Sequence, residues 1–240
     1  MELQYAPNRF KILVVGRRGS GKTALIRRLK DNVFSDDEDD PTSTTDVTVI
    51  VRAVQGSIIK ADMVEVDLST FLACDSPSSQ AKVHFVRQYF DVNGLLLLYD
   101  ITNSDTFEEI DDVLRTLQRM VAPDVDICIL GTKADLMESR KISFEAAEQK
   151  SVEHGFSLFE TSALTGINCE EALIETLDKL AERRAEVREY WKENTESLIV
   201  NYGLRTFPLT SVNREVPSIV LFGLDSDSLD SGDRTSISLS

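Results

Sequence analysis

Cysteine is scarce in this chain of 240 residues: Cys74, Cys128 and Cys169 are all it has, with no CxxC pair among them. That excludes a disulfide scaffold and a cysteine-built zinc site, and it fits a reducing compartment. Histidine is scarcer still. His84 and His154 are the only two, both in segments with helical patterning, where packing or surface is the simpler role. Long apolar runs are missing as well. The longest, residues 95–99 (LLLLY), falls far short of the roughly 20 residues that cross a bilayer. The opening MELQYAPNRF lacks the apolar core of a secretory signal, Glu2 excludes myristoylation, and no cysteine follows Cys169 to carry a prenyl group. The expectation is a cytoplasmic monomer with no direct membrane anchor, brought to membranes only through partners. Positive charge is also in deficit. Lys plus Arg number 26 against 41 Asp plus Glu, a net charge of −15 that repels nucleic acid and anionic lipid. An anionic ligand must therefore be held by a local site that overcomes the global field.

What is present is ordinary globular composition, 42% hydrophobic and 28% charged, in a length that fits one domain plus an extension. Apolar runs at 10–15 (FKILVV) and 94–99 (GLLLLY) read as buried strands, 125–130 (VDICIL) as a third strand of the set and 156–159 as a short strand. The β-branched runs 47–54 and 58–66, separated by Gln55-Gly56-Ser57, read as a hairpin. Helical spacing marks 22–30, 105–120, 144–153 with Ser143 as its cap, and a long charged helix from Cys169 to about Asn194. Residues 68–80, polar and proline-containing, read as a loop, and 36–40 (DDEDD) as a solvated one that can steer a basic partner. Strands alternating with helices predict an α/β fold of three layers, a mostly parallel sheet covered on both faces, with ligands at the strand C-termini. From about Gly203 the texture changes, and residues 225–240 (DSDSLDSGDRTSISLS) read as a Ser/Asp-rich tail that cannot bury enough surface to order itself. Residues 217–224 (PSIVLFGL), apolar inside the extension, read either as packing on the domain or as a short docking segment, and Arg234-Thr235-Ser236 as a phosphorylation candidate or part of an unmodified solubilising tail.

Two kinds of motif carry chemistry. Gly16-Arg17-Arg18-Gly19-Ser20-Gly21-Lys22-Thr23 matches G-x-x-x-x-G-K-[ST] between a strand and a helix. Its glycines let successive N–H groups curl around a phosphate, and the helix N-terminus adds partial positive charge. Lys22 would reach the β- and γ-phosphates and Thr23 would ligate Mg²⁺. A chance Gly-rich turn would lack that strand and helix. The base is chosen elsewhere. Gly131-Thr132-Lys133-Ala134-Asp135 follows the strand 125–130, and ionised Asp135 can accept from the ring N–H and the exocyclic amino group of guanine together. Adenine offers no such pair, which argues against a P-loop ATPase or small-molecule kinase. The stem of Lys133 can lie over base and ribose. Thr161-Ser162-Ala163-Leu164 follows the next strand, where a backbone N–H can meet the guanine carbonyl.

With GRRGSGKT, GTKAD and TSAL in this order, residues 9–190 resemble the small GTPases of the Ras-like superfamily. Residues 99–108 (YDITNSDTFE) look like the Rab branch, while GTKAD and SAL look more like the Rho branch without its helical insertion, so no branch is assigned. The resemblance implies a P-loop NTPase fold with a six-stranded sheet and one antiparallel edge strand. It implies a G domain over 10–197 between an N-terminal extension, 1–9, and a C-terminal one, 198–240. It also implies GTP and GDP as ligands with Mg²⁺. The implied GTP-binding residues are Gly16, Arg18, Gly19, Ser20, Gly21, Lys22, Thr23, Thr44, Thr132, Lys133, Asp135, Ser162, Ala163 and Leu164. Thr23, Thr44 and Asp67 are the implied metal residues. Effectors and regulators would bind through the switch regions. Thr42, Thr44 and Thr45 compete for the first-switch threonine, with Thr44 favoured.

The resemblance breaks where hydrolysis is controlled. After Asp67 the family's second switch continues x-x-G-Q; here Leu68-Ser69-Thr70-Phe71 has neither the glycine that senses the γ-phosphate nor the glutamine that orients water. Gln80 and Gln88 stand at the wrong spacing. Arg18 occupies a place usually held by Gly or Ser and crowds the γ-phosphate. The alternative for Arg17 or Arg18 is a cis arginine finger, which has little to act on without a positioned water. The expectation is a switch protein with slow or partner-dependent hydrolysis. The competing reading is a pseudo-GTPase scaffold.

Overall fold

The structure, a computed structural model, describes residues 8–34, 47–73, 92–120 and 125–202. Among the described residues there are six strands: β1 (Asn8–Gly16), β2 (Val47–Val54), β3 (Ser57–Asp67), β4 (Gly94–Asp100), β5 (Asp126–Thr132) and β6 (Ser157–Glu160). They form one sheet in the order β2-β3-β1-β4-β5-β6. β2 pairs antiparallel with β3 at the edge, and the other pairings are parallel, as expected from the sequence. The hairpin closes on Gln55 (φ 47°) and Gly56 (φ 73°), the left-handed pair whose twist matches its strands.

Side-chain alternation explains the three layers. Ile12, Val14, Leu96 and Leu98 face α1 (Lys22–Asp31) and the long C-terminal helix, where Leu25, Leu29, Leu173 and Leu177 are buried against them. Leu13, Val15, Leu95 and Leu97 point to the opposite face, covered by Leu68, Ile110, Val113 and Ala147. β1 and β4 are thus apolar on both sides, the signature of interior parallel strands. Burying each such side chain contributes about 1.5–3 kcal/mol, and truncating Leu96 or Leu97 to alanine costs about 2–5 kcal/mol.

Three helical segments depart from expectation. Residues 68–73 are not loop but α2 (Leu68–Ala73). Asp67 Oδ1 accepts from Ser69 N–H (2.9 Å) and Ser69 Oγ (2.6 Å), a cap that winds the chain, while Leu68 is buried. Residues 74–80 lie outside the described ones. The helix read as 105–120 is two pieces, α3 (Ser104–Glu108) and α4 (Ile110–Met120). Asn103 caps the first by accepting from Asp105 N–H, and Glu109 flattens the ladder at φ −74°, ψ −11°. α5 (Phe144–His154) carries the expected cap: Ala146 N–H donates to Ser143 Oγ at 3.2 Å. The last helix, α6, runs Cys169–Tyr202, past the expected end.

Two units divide the chain, Met1–Arg184 and Ala185–Ser240. Of the second, only the distal part of α6 is described. No helix among the described residues is long and apolar enough to cross a membrane. In the first unit, parallel pairing brings the strand C-termini to one rim. Gly16 is in register with Asp67, and Asp100 with Thr132.

Candidate functional site

The loop after β1 is shaped by close approach. A Cβ on Gly16 would lie 2.5 Å from Ser20 Oγ and 3.0 Å from the Leu98 carbonyl, so only glycine fits. Gly19 (φ 79°) and Gly21 (φ 91°) take left-handed conformations that glycine adopts without strain. α1 then starts without a side-chain N-cap, so no capping side chain claims its first-turn N–H groups. The Lys22 ammonium reaches back to the carbonyls of Gly16 (2.9 Å) and Arg17 (2.8 Å) and stands 4.0 Å from Asp67. Burial lowers its pKa, with Asp67 and Glu65 opposing that shift. Ser20 Oγ is buried with no partner among the described residues. An open N-terminus, a buried ammonium and an orphaned hydroxyl in one concave turn fit an anionic phosphate.

The two arginines diverge. Arg17 Nε donates to Glu109 Oε2 at 2.6 Å, with a second bond from Nη2 to Oε1, so its guanidinium lies at the α3–α4 junction. Glu109 first, then Asp105 and Asp67, hold it more firmly protonated. Arg18 is exposed.

The loops after β5 and β6 are stitched together. Ala134 N–H donates to the Thr161 carbonyl (3.0 Å), and Thr161 N–H to the Gly131 carbonyl (2.7 Å). Asp135 Oδ1 accepts from the Ser162 hydroxyl at 2.5 Å. Ser162 is fully buried, so the carboxylate is aimed from beneath and keeps its other oxygen for a ligand. Thr132 ties the loop after β5 to the loop after β1. Its hydroxyl lies 2.7 Å from the Ser20 carbonyl and 2.9 Å from that of Tyr99, bracing β5 against the phosphate loop. Lys133 sits at φ 61° with its amine 2.7 Å from Asp100. Burial raises the Asp100 pKa, but the Lys133 ammonium and the Thr102 hydroxyl and N–H outweigh it, so the net shift is downward.

Several supporting residues were not legible in the sequence. Arg28 of α1 donates to the carbonyls of Ala163 (2.7 Å) and Leu164 (2.8 Å). A trans peptide points N–H opposite C=O, so the Leu164 N–H faces away from Arg28. Arg140 grips Glu160 through two bonds, 2.5 and 2.6 Å, locking β6 to the segment after Asp135. Glu65 accepts from the Thr23 hydroxyl at 2.8 Å. A signal for Glu65 did exist: period-two alternation sets it in the stripe Ile59, Ala61, Met63, where a carboxylate is out of place.

For a divalent cation the described residues offer hard oxygen donors, the Thr23 hydroxyl and the Asp67 carboxylate, with the Glu65 carboxylate beside the hydroxyl, a set suited to Mg²⁺. Among the described residues no three His, Cys, Asp or Glu side chains cluster to hold a metal, so phosphate oxygens and water would supply much of the shell. Burial pushes the thiols of Cys128 and Cys169 up to about 12 and about 11, which leaves them inert near neutrality. His154 is exposed and stacks on Phe156. Thr42, Thr44, Thr45, the DDEDD run, Cys74, Gln80, His84, Gln88, residues 217–224 and Arg234–Ser236 lie outside the described residues.

A phosphate loop, a guanine-suited carboxylate and this strand order converge, and a model of the Ras family matches residues 11–182. The chain belongs to the Ras family. Ras-related protein Rab-26 of mouse is 32% identical over 176 residues, covering 73% of this chain and 64% of the relative. Human Rab-26 is 30% identical over 174 residues, 72% of this chain and 64% of the relative. Rab-8 of Diplobatis ommata is 30% identical over 166 residues, 69% and 74%. This Ras-family chain therefore spans less than two thirds of the length of the Rab-26 proteins it matches. The Rab-like cast of residues 99–108 agrees with these relatives, and the P-loop GTPase fold is borne out.

Proposed function

We propose that this Ras-family chain is a guanine-nucleotide switch that binds GTP and GDP with Mg²⁺ and hydrolyses GTP slowly or only with a partner's help. One observation carries the reading: the Asp135 carboxylate is held by buried Ser162 at the end of β5, with Lys133 beside it, on the rim that also bears the phosphate loop. Asp135 accepts from the guanine edge, with Lys133, Ser162, Ala163 and Leu164 around the base. Gly16, Arg18, Gly19, Ser20, Gly21, Lys22 and Thr23 hold the phosphates. Thr132 serves by bracing the two loops. Thr23, Asp67 and Thr44 are the metal residues of this reading. When bound, Mg²⁺ offsets phosphate charge. The Lys22 ammonium does the same from the protein side, and the buried loop carbonyls hold it in place.

Slow hydrolysis follows from what surrounds those residues. Asp67 is followed by a capped helix and a buried Leu68 in place of a glycine-bearing segment. Arg17 is engaged with Glu109, so Arg18 is the nearer candidate to crowd the γ-phosphate. The same capped helix favours a second reading, a pseudo-GTPase scaffold whose nucleotide is structural. A G domain over 10–197 with extensions at 1–9 and 198–240, a monomeric state, and effector or regulator binding through the switch segments complete the proposal. Recruitment to membranes then goes through those partners.

The test is to denature freshly purified protein, identify the released nucleotide, and follow single-turnover hydrolysis. Bound GDP or GTP with turnover below that of a glutamine-bearing relative is the expected result. Brisk unassisted turnover overturns the slow-switch reading. Equal partner binding by GDP-loaded, GTP-analogue-loaded and Lys22→Ala protein favours the scaffold.

A further inference from the structure

We propose that Glu65 is a positioning residue for the Thr23 hydroxyl, and that it ties retention of the nucleotide more tightly to the divalent cation. This rests on the guanine-nucleotide reading above and adds a residue to it. The argument starts from the pleat of β3. Ile59, Ala61 and Met63 are fully buried on the face that packs against α1. Two residues on, the same stripe delivers a carboxylate in place of an aliphatic side chain, in register with Val14 of β1. It lands against the first turn of α1, where Thr23 Oγ1 donates to Glu65 Oε2 at 2.8 Å.

A hydroxyl has one proton and two acceptor lone pairs. With the proton given to Glu65, the lone pairs of Thr23 are turned outward and the oxygen is made more basic. A carboxylate partner has this effect on metal-ligating groups generally, and its loss lowers metal affinity about 10–100-fold. Asp67, the other donor, is partly committed: its Oδ1 accepts twice from Ser69, and its Oδ2 is 4.0 Å from the Lys22 ammonium. The hydroxyl therefore carries more of the cation's hold than it would beside an uncommitted Asp67. Glu65 has an opposite effect when the cation is absent. Its negative charge beside the phosphate loop then repels the nucleotide. One residue thus strengthens the loaded state and weakens the metal-free one.

Those opposite signs separate positioning from mere packing. Release of a fluorescent GDP is measured across a magnesium titration, from excess EDTA to millimolar MgCl₂, for the wild type, Glu65→Ala and Glu65→Gln. For Glu65→Ala the Mg²⁺ concentration giving half-maximal retention rises by about 10–100-fold, while release in EDTA is no faster than in the wild type. Glu65→Gln, of equal size and with a neutral acceptor, shifts in the same direction by less. Release accelerated by one common factor in EDTA and in Mg²⁺ overturns the proposal, as does an unmoved midpoint in both variants. If Glu65→Ala does not fold, an unmoved midpoint in Glu65→Gln is decisive alone. A wild type that holds no fluorescent GDP overturns the nucleotide reading itself; a wild type that holds it with the midpoint of its variants overturns only the role of Glu65.

Discussion

On the β6 side of the rim, Arg140 and Glu160 form a two-bond pair with side chains 17% and 15% exposed; at the phosphate loop, Arg17 and Glu109 form the same kind of pair at 45% and 20%. The chemistry is shared and the surroundings differ. Around β5 and β6 the carboxylates and carbonyls are held by partners from other elements: Asp135 by Ser162, Ala163 and Leu164 by Arg28, Thr161 by Ala134. Around the loop after β1 the Arg17–Glu109 pair is half-solvated, while the Lys22 ammonium is buried against the Gly16 and Arg17 carbonyls. A shielded network fixes one geometry, because an unpaired group there loses its hydration without compensation. An exposed pair can open at little cost. The Arg140–Glu160 pair is thus built to stay, and the Arg17–Glu109 pair to open.

The sharpest way to break this contrast is Asp135→Ala. Affinity for GDP should fall at least about 100-fold by calorimetry, at about 1.4 kcal/mol per tenfold, with preference over ADP lost. A drop below about tenfold would mean that the base is chosen elsewhere. Next in size is the comparison of the two arginines. Arg140→Ala strands a half-buried carboxylate and should destabilise the fold by about 1–3 kcal/mol in denaturant titration. Arg17→Ala should leave the midpoint where it was. Equal effects would erase the distinction between the two sides.

A smaller effect concerns acid. The Asp100 carboxyl titrates below its ordinary value of 3.8. Its contribution to stability is therefore fully present above that value and is lost as pH falls through the depressed folded one. Asp100→Asn should flatten this part of the acid limb of the stability curve while leaving its slope near neutrality unchanged. A melting series from neutral pH down to strong acid checks it, and identical acid limbs would remove Lys133–Asp100 from the list of braces.

Much of the architecture could be read in advance for a local reason. Uninterrupted apolar runs such as LLLLY fit only strands buried on both faces, and the period-two runs around Gln55-Gly56 fit a hairpin. The errors also have local causes. Residues 68–73 are polar in composition but are wound by a cap that Asp67 and Ser69 create between themselves. The pattern at 105–120 is continuous, yet Asn103 and Glu109 divide it.

The sequence by itself determined the strands and most of the helices, where the glycines of the loop after β1 must bend, and that a carboxylate follows β5. Such features depend on residues a few positions apart, within reach of backbone sterics and side-chain periodicity. Only the tertiary structure decided that Glu65 meets Thr23 from 42 residues away, that Arg17 finds Glu109 across 92, and that Arg28 clamps Ala163 across 135. Those partners are chosen by how the crossovers pack strand ends onto a common rim, information that no local pattern carries.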